Sequence, residues 1–487
     1  MSTNPRDLDE FLSQIKRNFG DLDLLANPFL SLVKPTEENL KKYYIFKPES
    51  RFWFGVNAIG VIPRILGNII YSAAISIVKT TENRNWDVDP IKKSHNLYIS
   101  HFTYAQTPQA DDLFFGKNSQ NSDDLVFYLN STRENSNSIQ KRYSDLGKLN
   151  VVVNTKSLGL LQTIKVHGRQ LHISLKLLFL AQSNSHYTLF QRRLLLKLSI
   201  SQHSRQAMAN LFTKERLTEL ISKCHPENII LTTEGHAHEA MIIKLRDANF
   251  PGVRIVGFQH APIVPGQFSF YRLLKMFKST DLLLTTGTIT KELIYKVLPG
   301  LQTRVLGSPK SIEITPQYKS LTTMNVLGAV EGTYESLQSF IHLFNKLSRL
   351  LPDFQFILRL HPALSKDIAQ KLLKSLYSSA NLKISTDTLT DDLNNSHVTI
   401  FRSSAVGLEG LAYASLPVHF DAEMEGLLNP LSLINFPKME FSDVDELTEF
   451  LKGWPLTHNN TPEFRFESSK VVKDYYFPMK DINLLID

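Results

Sequence analysis

From Asn96 onward the chain alternates short apolar runs with longer stretches of helical spacing, and the two periodicities place its elements. Leu97–Ser100, Leu125–Leu129 and Leu149–Val153 are apolar runs bounded by polar loops and read as strands. Two long helical patterns follow, from Ser157 to about Gln182 and from His186 to about Met208; a third runs from Ala209 to Cys224. Asn228–Thr233 shows no polar alternation, which predicts a strand covered on both faces, as in a parallel sheet. A helix over Glu239–Ala248 and strands at Val253–Phe258, Asp281–Thr285 and Arg304–Leu306 complete a first α/β half. The second half begins with strand Met324–Val330, helix Tyr334–Leu351, strand Phe354–Leu360 and helix Lys366–Ala380. It ends with strand Val398–Phe401, a helix through Leu408, Leu411 and Ala412, and a strand opening at Pro417.

Between the halves, Gly307 through Thr323 carries proline, serine and lysine without periodicity, the texture of a linker. The expected organisation is therefore a helical N-terminal extension over 1–90 and a first Rossmann-like domain over 91–308. A linker over 309–323, a second Rossmann-like domain over 324–454 and a tail over 455–487 that crosses back to the first domain complete it. Two doubly wound halves predict a shared cleft, with ligands at the carboxyl ends of the strands. Phe52–Lys79 is strongly apolar, but Pro63 and Arg64 interrupt it, and Ile65–Val78 falls short of the ~20 residues a spanning helix needs. It reads as a buried helix, or as one in a membrane interface with Trp53, Phe54 and Arg64 at the headgroups.

Composition narrows the class. A chain of 487 residues has room for two or three full cores, and 42% hydrophobic with 21% charged residues suits a globular protein. The single cysteine, Cys224, excludes an intramolecular disulfide framework and suits a reducing compartment. The opening MSTNPRDLDEFLSQIKRNFG lacks the layout of a signal peptide, so a cytoplasmic location is expected. A formal charge of +7 favours an anionic partner: a nucleotide, a nucleic acid or an anionic membrane face. No zinc-knuckle spacing or aromatic-interleaved basic block supports nucleic acid.

Residues just past the strands face such a cleft, and three sets stand out there. Glu234-Gly235 ends the strand at Asn228–Thr233; His361-Pro362 ends Phe354–Leu360, with Arg359 one residue inside; Ser403-Ser404 follows Val398–Phe401. A carboxylate at a strand tip beside a glycine can accept a proton from an attacking hydroxyl, and reads equally as a helix-terminal acid. An imidazole beside a fixed proline can donate to a phosphate, although a lone His-Pro pair is more commonly a turn histidine. Serines between a strand and a helix offer donors to an anion, and are also ordinary caps. Glu409, inside the helix after the serines, is within reach of a ribose.

Taken in order, Glu-Gly, His-Pro and Ser-Ser resemble the bacterial GT-B glycosyltransferases that use CMP-activated sugars, including sialyl- and polysialyltransferases and capsule or O-antigen Kdo transferases. Thr233-Glu-Gly is similar to their acidic-Gly motif, and His361-Pro362 with Ser403-Ser404 to the pair that holds CMP. Glu234–Pro265, with Gln259-His260 ending its strand, and Asp112–Gly116 are similar to segments of the same surface-carbohydrate proteins. The resemblance covers about residues 96–430 and implies a GT-B-like α/β fold. It further implies that His361 binds the CMP phosphate and assists its departure, with Pro362, Ser403, Ser404, Arg359 and Glu409 completing the nucleotide site. Glu234 would be the acid/base group near the acceptor, with Gly235, Gln259 and His260 lining the cleft. Glu331, thirty residues before His361, stands where retaining Kdo transferases carry a carboxylate implicated as nucleophile, usually Asp; a helix-capping acid is the alternative.

No metal and no cofactor is expected: His236-Ala-His238-Glu239 lacks a third ligand at a recognised spacing, and a CMP-sugar carries a single phosphate. The resemblance points to transfer of Kdo, sialic acid or a related ulosonic acid from a CMP-sugar to a surface polysaccharide or lipid-linked precursor. The apolar segment near residue 65 then offers a peripheral contact with the inner face of the cytoplasmic membrane. Alternatives are a CDP-glycerol or CDP-ribitol phosphotransferase, a UDP-sugar transferase or epimerase, and a non-catalytic partner in polysaccharide assembly.

Overall fold

The computed structural model describes residues 93–486 apart from 104–105, 133, 149, 155–157, 159, 184–185, 310–318, 320–321, 333, 362–363, 365–379, 423–428 and 438, together with residues 10–11, 14–15, 25–27, 63, 66–67 and 70. Most of the N-terminal extension, Trp53, Phe54 and Arg64, most of the linker, Pro362 and, but for Ala380, the helix expected over Lys366–Ala380 lie outside the described residues. The chain divides into two compact units. One comprises residues 1–258, 267–283 and 300–302; the other comprises 259–266, 284–299 and 303–487.

Two sheets carry the architecture. The first has seven strands in the order β3-β2-β1-β4-β5-β6-β7. Its strands are β1 Asn96–Phe102, β2 Leu125–Asn130, β3 Val151–Val153, β4 Asn228–Thr232, β5 Arg254–Gln259, β6 Leu282–Thr285 and β7 Gln302–Val305. β1 pairs parallel with β2 and β4, β2 with β3, and β4 with β5. The second sheet has the order β10-β9-β8-β11-β12-β13, all parallel. Its strands are β8 Asn325–Ala329, β9 Gln355–Arg359, β10 Leu382–Ile384, β11 Val398–Phe401, β12 Leu416–Phe420 and β13 Met439–Phe441. Both are doubly wound α/β sheets. In each, the chain winds outward one way, returns to the centre and continues the other way, so the winding reverses between β1 and β4 and between β8 and β11.

Central strands form where apolar runs are unbroken because both faces are covered. Every residue of β4 (NIILT) and β11 (VTIF) is buried. Helices Arg205–Cys224 and Ala237–Asn249 cover the first sheet through Leu211, Leu217, Met241 and Ile242, packed on Ile229 and Leu231. Helix Tyr334–Leu350 lays Phe340, Phe344 and Leu347 on the second sheet. A bidentate ion pair locks the first unit: Arg246 Nη1 and Nη2 donate to Asp281 Oδ1 and Oδ2 at 2.6 and 2.7 Å, with both side chains buried.

The helix expected from His186 to Met208 is interrupted. It spans Leu189–Ser201, and a new helix starts at Arg205 because Ser204 caps it by accepting the Ala207 N–H at 3.2 Å. The C-terminal residues form helix Pro462–Tyr475 and then return along 284–308. Phe477 N donates to Thr286 O at 2.9 Å, Ser308 N to Phe477 O at 2.9 Å and Lys480 N to Leu306 O at 2.8 Å. At Gly287 and Gly307 a Cβ would lie 2.3 Å from the Asp474 and Pro478 carbonyl oxygens, so only glycine lets this tail seat. These bonds hold the tail to 284–299 and 303–308 within the second compact unit.

Candidate functional site

Each sheet brings reactive side chains together at its reversal point. In the first unit, β4 runs into the turn Thr233–His236 before helix Ala237–Asn249. Gly235 has φ +93°, and a Cβ there would lie 2.3 Å from Phe270 N and 2.5 Å from the Ser269 carbonyl carbon. The turn is therefore built for glycine alone. The fully buried Glu239 carboxylate, one helical turn on, reaches back to accept the N–H groups of Glu234 (3.0 Å to each oxygen), Gly235 (2.7 Å) and His236 (2.8 Å). Gln267 Nε2 holds the Glu234 carbonyl at 2.9 Å. So fixed, the turn presents the half-exposed Glu234 side chain, whose Oε2 lies 3.3 Å from His236 Nε2.

The electrostatics divide the cluster into charged and neutral members. Burial works against a charged His236, but the hydrogen bond to Glu234 and the charges of Glu239 and Glu234 outweigh it and push the imidazole up to about 9. Burial holds His238 well below the usual histidine range, with the neighbouring His101 and His236 adding to the effect. Burial pushes Glu239 up to about 7, against the pull of His236 and the turn's amides. The rings form a continuous line: His236 to His238 at 5.5 Å, His238 to His101 at 5.2 Å and His101 to Phe114 at 5.9 Å. Phe114 belongs to the loop Asp112–Gly116. Asp112 fixes that loop by accepting Phe114 N and Phe115 N at 2.8 Å each and Ser100 Oγ at 2.7 Å.

In the second unit Glu331 follows β8, and its Oε1 accepts the Ser403 N–H at 2.9 Å across the reversal point. Ser404 Oγ accepts the Val406 N–H at 3.2 Å just ahead of the helix Val406–Leu411, which ends one residue short of the expected Ala412. Glu409 is buried in that helix, and its charge is one of the causes, after burial, that raise the Tyr476 hydroxyl. Arg359 closes β9; its Nη1 donates to Asp392 Oδ2 at 2.6 Å, Asp387 O at 2.8 Å and Ser385 Oγ at 3.3 Å, tying β9 to the segment that follows β10. His361 is exposed just beyond β9, and its carbonyl accepts the Leu364 N–H at 3.0 Å.

Gln259 is buried at the end of β5, donates to Ala261 O at 2.6 Å and leaves its Oε1 without a hydrogen-bond partner. His260 follows it, half-buried. Among the described residues no group of three or more His, Cys, Asp or Glu side chains is arranged to hold a metal ion. The sequence pointed to no role for Gln267 and His101, and to Glu239 only as a metal ligand. His101 lies near the carboxyl end of β1, so reading that strand past Ser100 would have found it; Gln267 carried no signal, because it reaches the turn only through the fold.

No protein-family model matches the chain, and no curated protein does. Among solved structures it is similar to a protein named as a UDP-N-acetylglucosamine 2-epimerase from Listeria monocytogenes, at 10% identity over 80% of this chain and 95% of that one, with TM-score 0.48. It is also similar to the UDP-N-acetylglucosamine 2-epimerase from Rickettsia bellii, at 13% identity over 81% and 96% with TM-score 0.43. A third is the UDP-GlcNAc 2-epimerase of Neisseria meningitidis bound to UDP-GlcNAc, at 9% identity over 79% and 95% with TM-score 0.42. These likenesses are weak, and the chemistry below rests on this chain's own residues.

Proposed function

We propose that the protein is a nucleotide-sugar glycosyltransferase of GT-B type that transfers an ulosonic acid such as Kdo or sialic acid from a CMP-sugar to a glycan or lipid-linked acceptor. The observation that carries this reading is the Glu234–His236 pair at the β1/β4 reversal point, on a turn held by three amide bonds to Glu239. In doubly wound sheets that is where ligands bind. In the reaction, Glu234 takes the proton from the acceptor hydroxyl as its oxygen bonds to the anomeric carbon of the donor and the bond to CMP breaks. His236, pushed up to about 9, holds the carboxylate in place and balances its charge. The loop at Ser403–Ser404, with His361 and Arg359, is the proposed phosphate site, where donors stabilise the charge that grows on departing CMP. Glu331, held against the Ser403 amide, orients that loop and is the candidate nucleophile if transfer proceeds with retention. The proposed donor site needs no metal.

Thermal shift with CMP, CDP, UDP and GDP ranks the nucleotides, and mass spectrometry of products with CMP-Kdo and CMP-sialic acid offered together identifies the sugar. The reading expects a preference for CMP that is lost in His361→Ala. Equal response to all four nucleotides, or no transferred sugar from either donor, contradicts it.

A further inference from the structure

Helix Leu160–Ser183 of the first unit has one face packed and the other turned to solvent. Val166, Ile173, Leu177 and Leu178 are buried, and Ser174 and Ser199 exchange hydroxyl-to-carbonyl bonds of 2.9 and 2.8 Å that fasten it to the neighbouring helix Leu189–Ser201. On the other side Leu161 is 76% exposed, Ile164 57%, Leu175 46% and Phe179 69%. Their spacing sets them along one stripe at about 100° per residue, running ~27 Å from Leu161 to Phe179. Lys165, His172 and Lys176 are exposed within the same stripe. A soluble helix ordinarily presents charged and polar residues there.

The charge pattern around the helix is one-sided. No Asp or Glu occurs between Asp145 and Glu215, while Lys and Arg recur throughout the interval. Cations interleaved with large exposed apolar side chains match a bilayer surface, where anionic headgroups meet the lysines and the acyl boundary receives Leu161, Ile164, Leu175 and Phe179. A purely ionic partner such as an acidic polymer would leave those apolar groups in water. Among the described residues no helix is long and apolar enough to cross a membrane, so a contact through this helix would lie in the surface plane.

We propose that the stripe Leu161–Phe179 is a membrane-surface site that docks the protein on anionic lipid. The stripe lies outside the segment Phe52–Lys79 in sequence, and the proposal stands whether or not the transferase reading holds.

The test is co-sedimentation of the full chain with phosphatidylcholine vesicles and with vesicles also containing phosphatidylglycerol. Binding is expected only to the anionic vesicles and weakens as salt rises. Leu175→Glu with Phe179→Glu should lower it at least tenfold, and Lys165→Glu with Lys176→Glu should lower it too, with unchanged far-UV circular dichroism in each case. Phe466→Glu and Leu484→Glu, at exposed apolar positions on other elements, should leave it unchanged. In Phe179→Trp the indole emission should shift to the blue when anionic vesicles are added. Three results would overturn the proposal: wild-type protein left in the supernatant with anionic vesicles, undiminished binding by both double variants, or a Phe179→Trp emission already blue-shifted before lipid is added, which would mean that protein covers the stripe.

Discussion

The turn after β4 and the turn after β11 occupy equivalent places in two sheets whose winding corresponds over six strands, yet carboxylates serve them differently. At the first, Glu239 is buried and takes three amides of the turn, leaving Glu234 projected from a fixed backbone. At the second, the half-buried Glu331 takes one amide, that of Ser403, and the serines themselves remain half-exposed. One turn is closed by a carboxylate of its own helix; the other is held through a single amide and leaves its serine side chains half-exposed. The lesson is that a strand-end acid has two uses, and burial together with the number of amides it accepts tells them apart.

The largest expected effect comes from breaking the finished turn. Glu239→Ala strands three N–H groups at about 1–3 kcal/mol each, so chemical denaturation should show a loss of at least ~3 kcal/mol. Gly235→Ala comes next: a Cβ 2.3 Å from backbone nitrogen, at positive φ, should cost roughly 2–4 kcal/mol by the same measurement. At the open turn the loss is smaller. Glu331→Gln keeps an acceptor for the Ser403 amide and should change stability by less than about 1 kcal/mol, while altering CMP affinity in titration calorimetry. Ser404→Ala removes only the hydroxyl that accepts the Val406 amide, at about 0.5 kcal/mol, the low end for a partly exposed hydrogen bond.

Proton linkage sharpens the contrast at the first turn. His236 is raised in the folded state, so its contribution to stability is complete below the unfolded value near 6.5 and is lost as pH rises through about 9. Transfer rate should therefore fall above about pH 9, and His236→Gln should remove that limb of the profile. A limb that survives the substitution would assign the titration elsewhere.

Central strands were legible because β4 and β11 are unbroken apolar runs, buried on both faces. The edge strands β10 (LKI) and β13 (MEF) were not, since three residues with exposed positions carry no readable period. The break at Ser204 was missed because apolar spacing continues across it, and only the cap bond to Ala207 shows where the second helix begins. At the site, Glu234, Gly235, Glu331, Ser403 and Ser404 were singled out by their places after strands. Glu239 was weighed only as a metal ligand beside two histidines, although its role is to bind three amides. That role depends on a turn whose shape Gly235 and the approach of Ser269 create, which spacing alone does not show.

The most direct test of the central claim is the transfer rate of Glu234→Gln measured beside its CMP affinity. The account predicts a rate lowered by about 10²–10⁴-fold, as for loss of a general base, with CMP affinity unchanged. A variant that transfers sugar at the wild-type rate would contradict it.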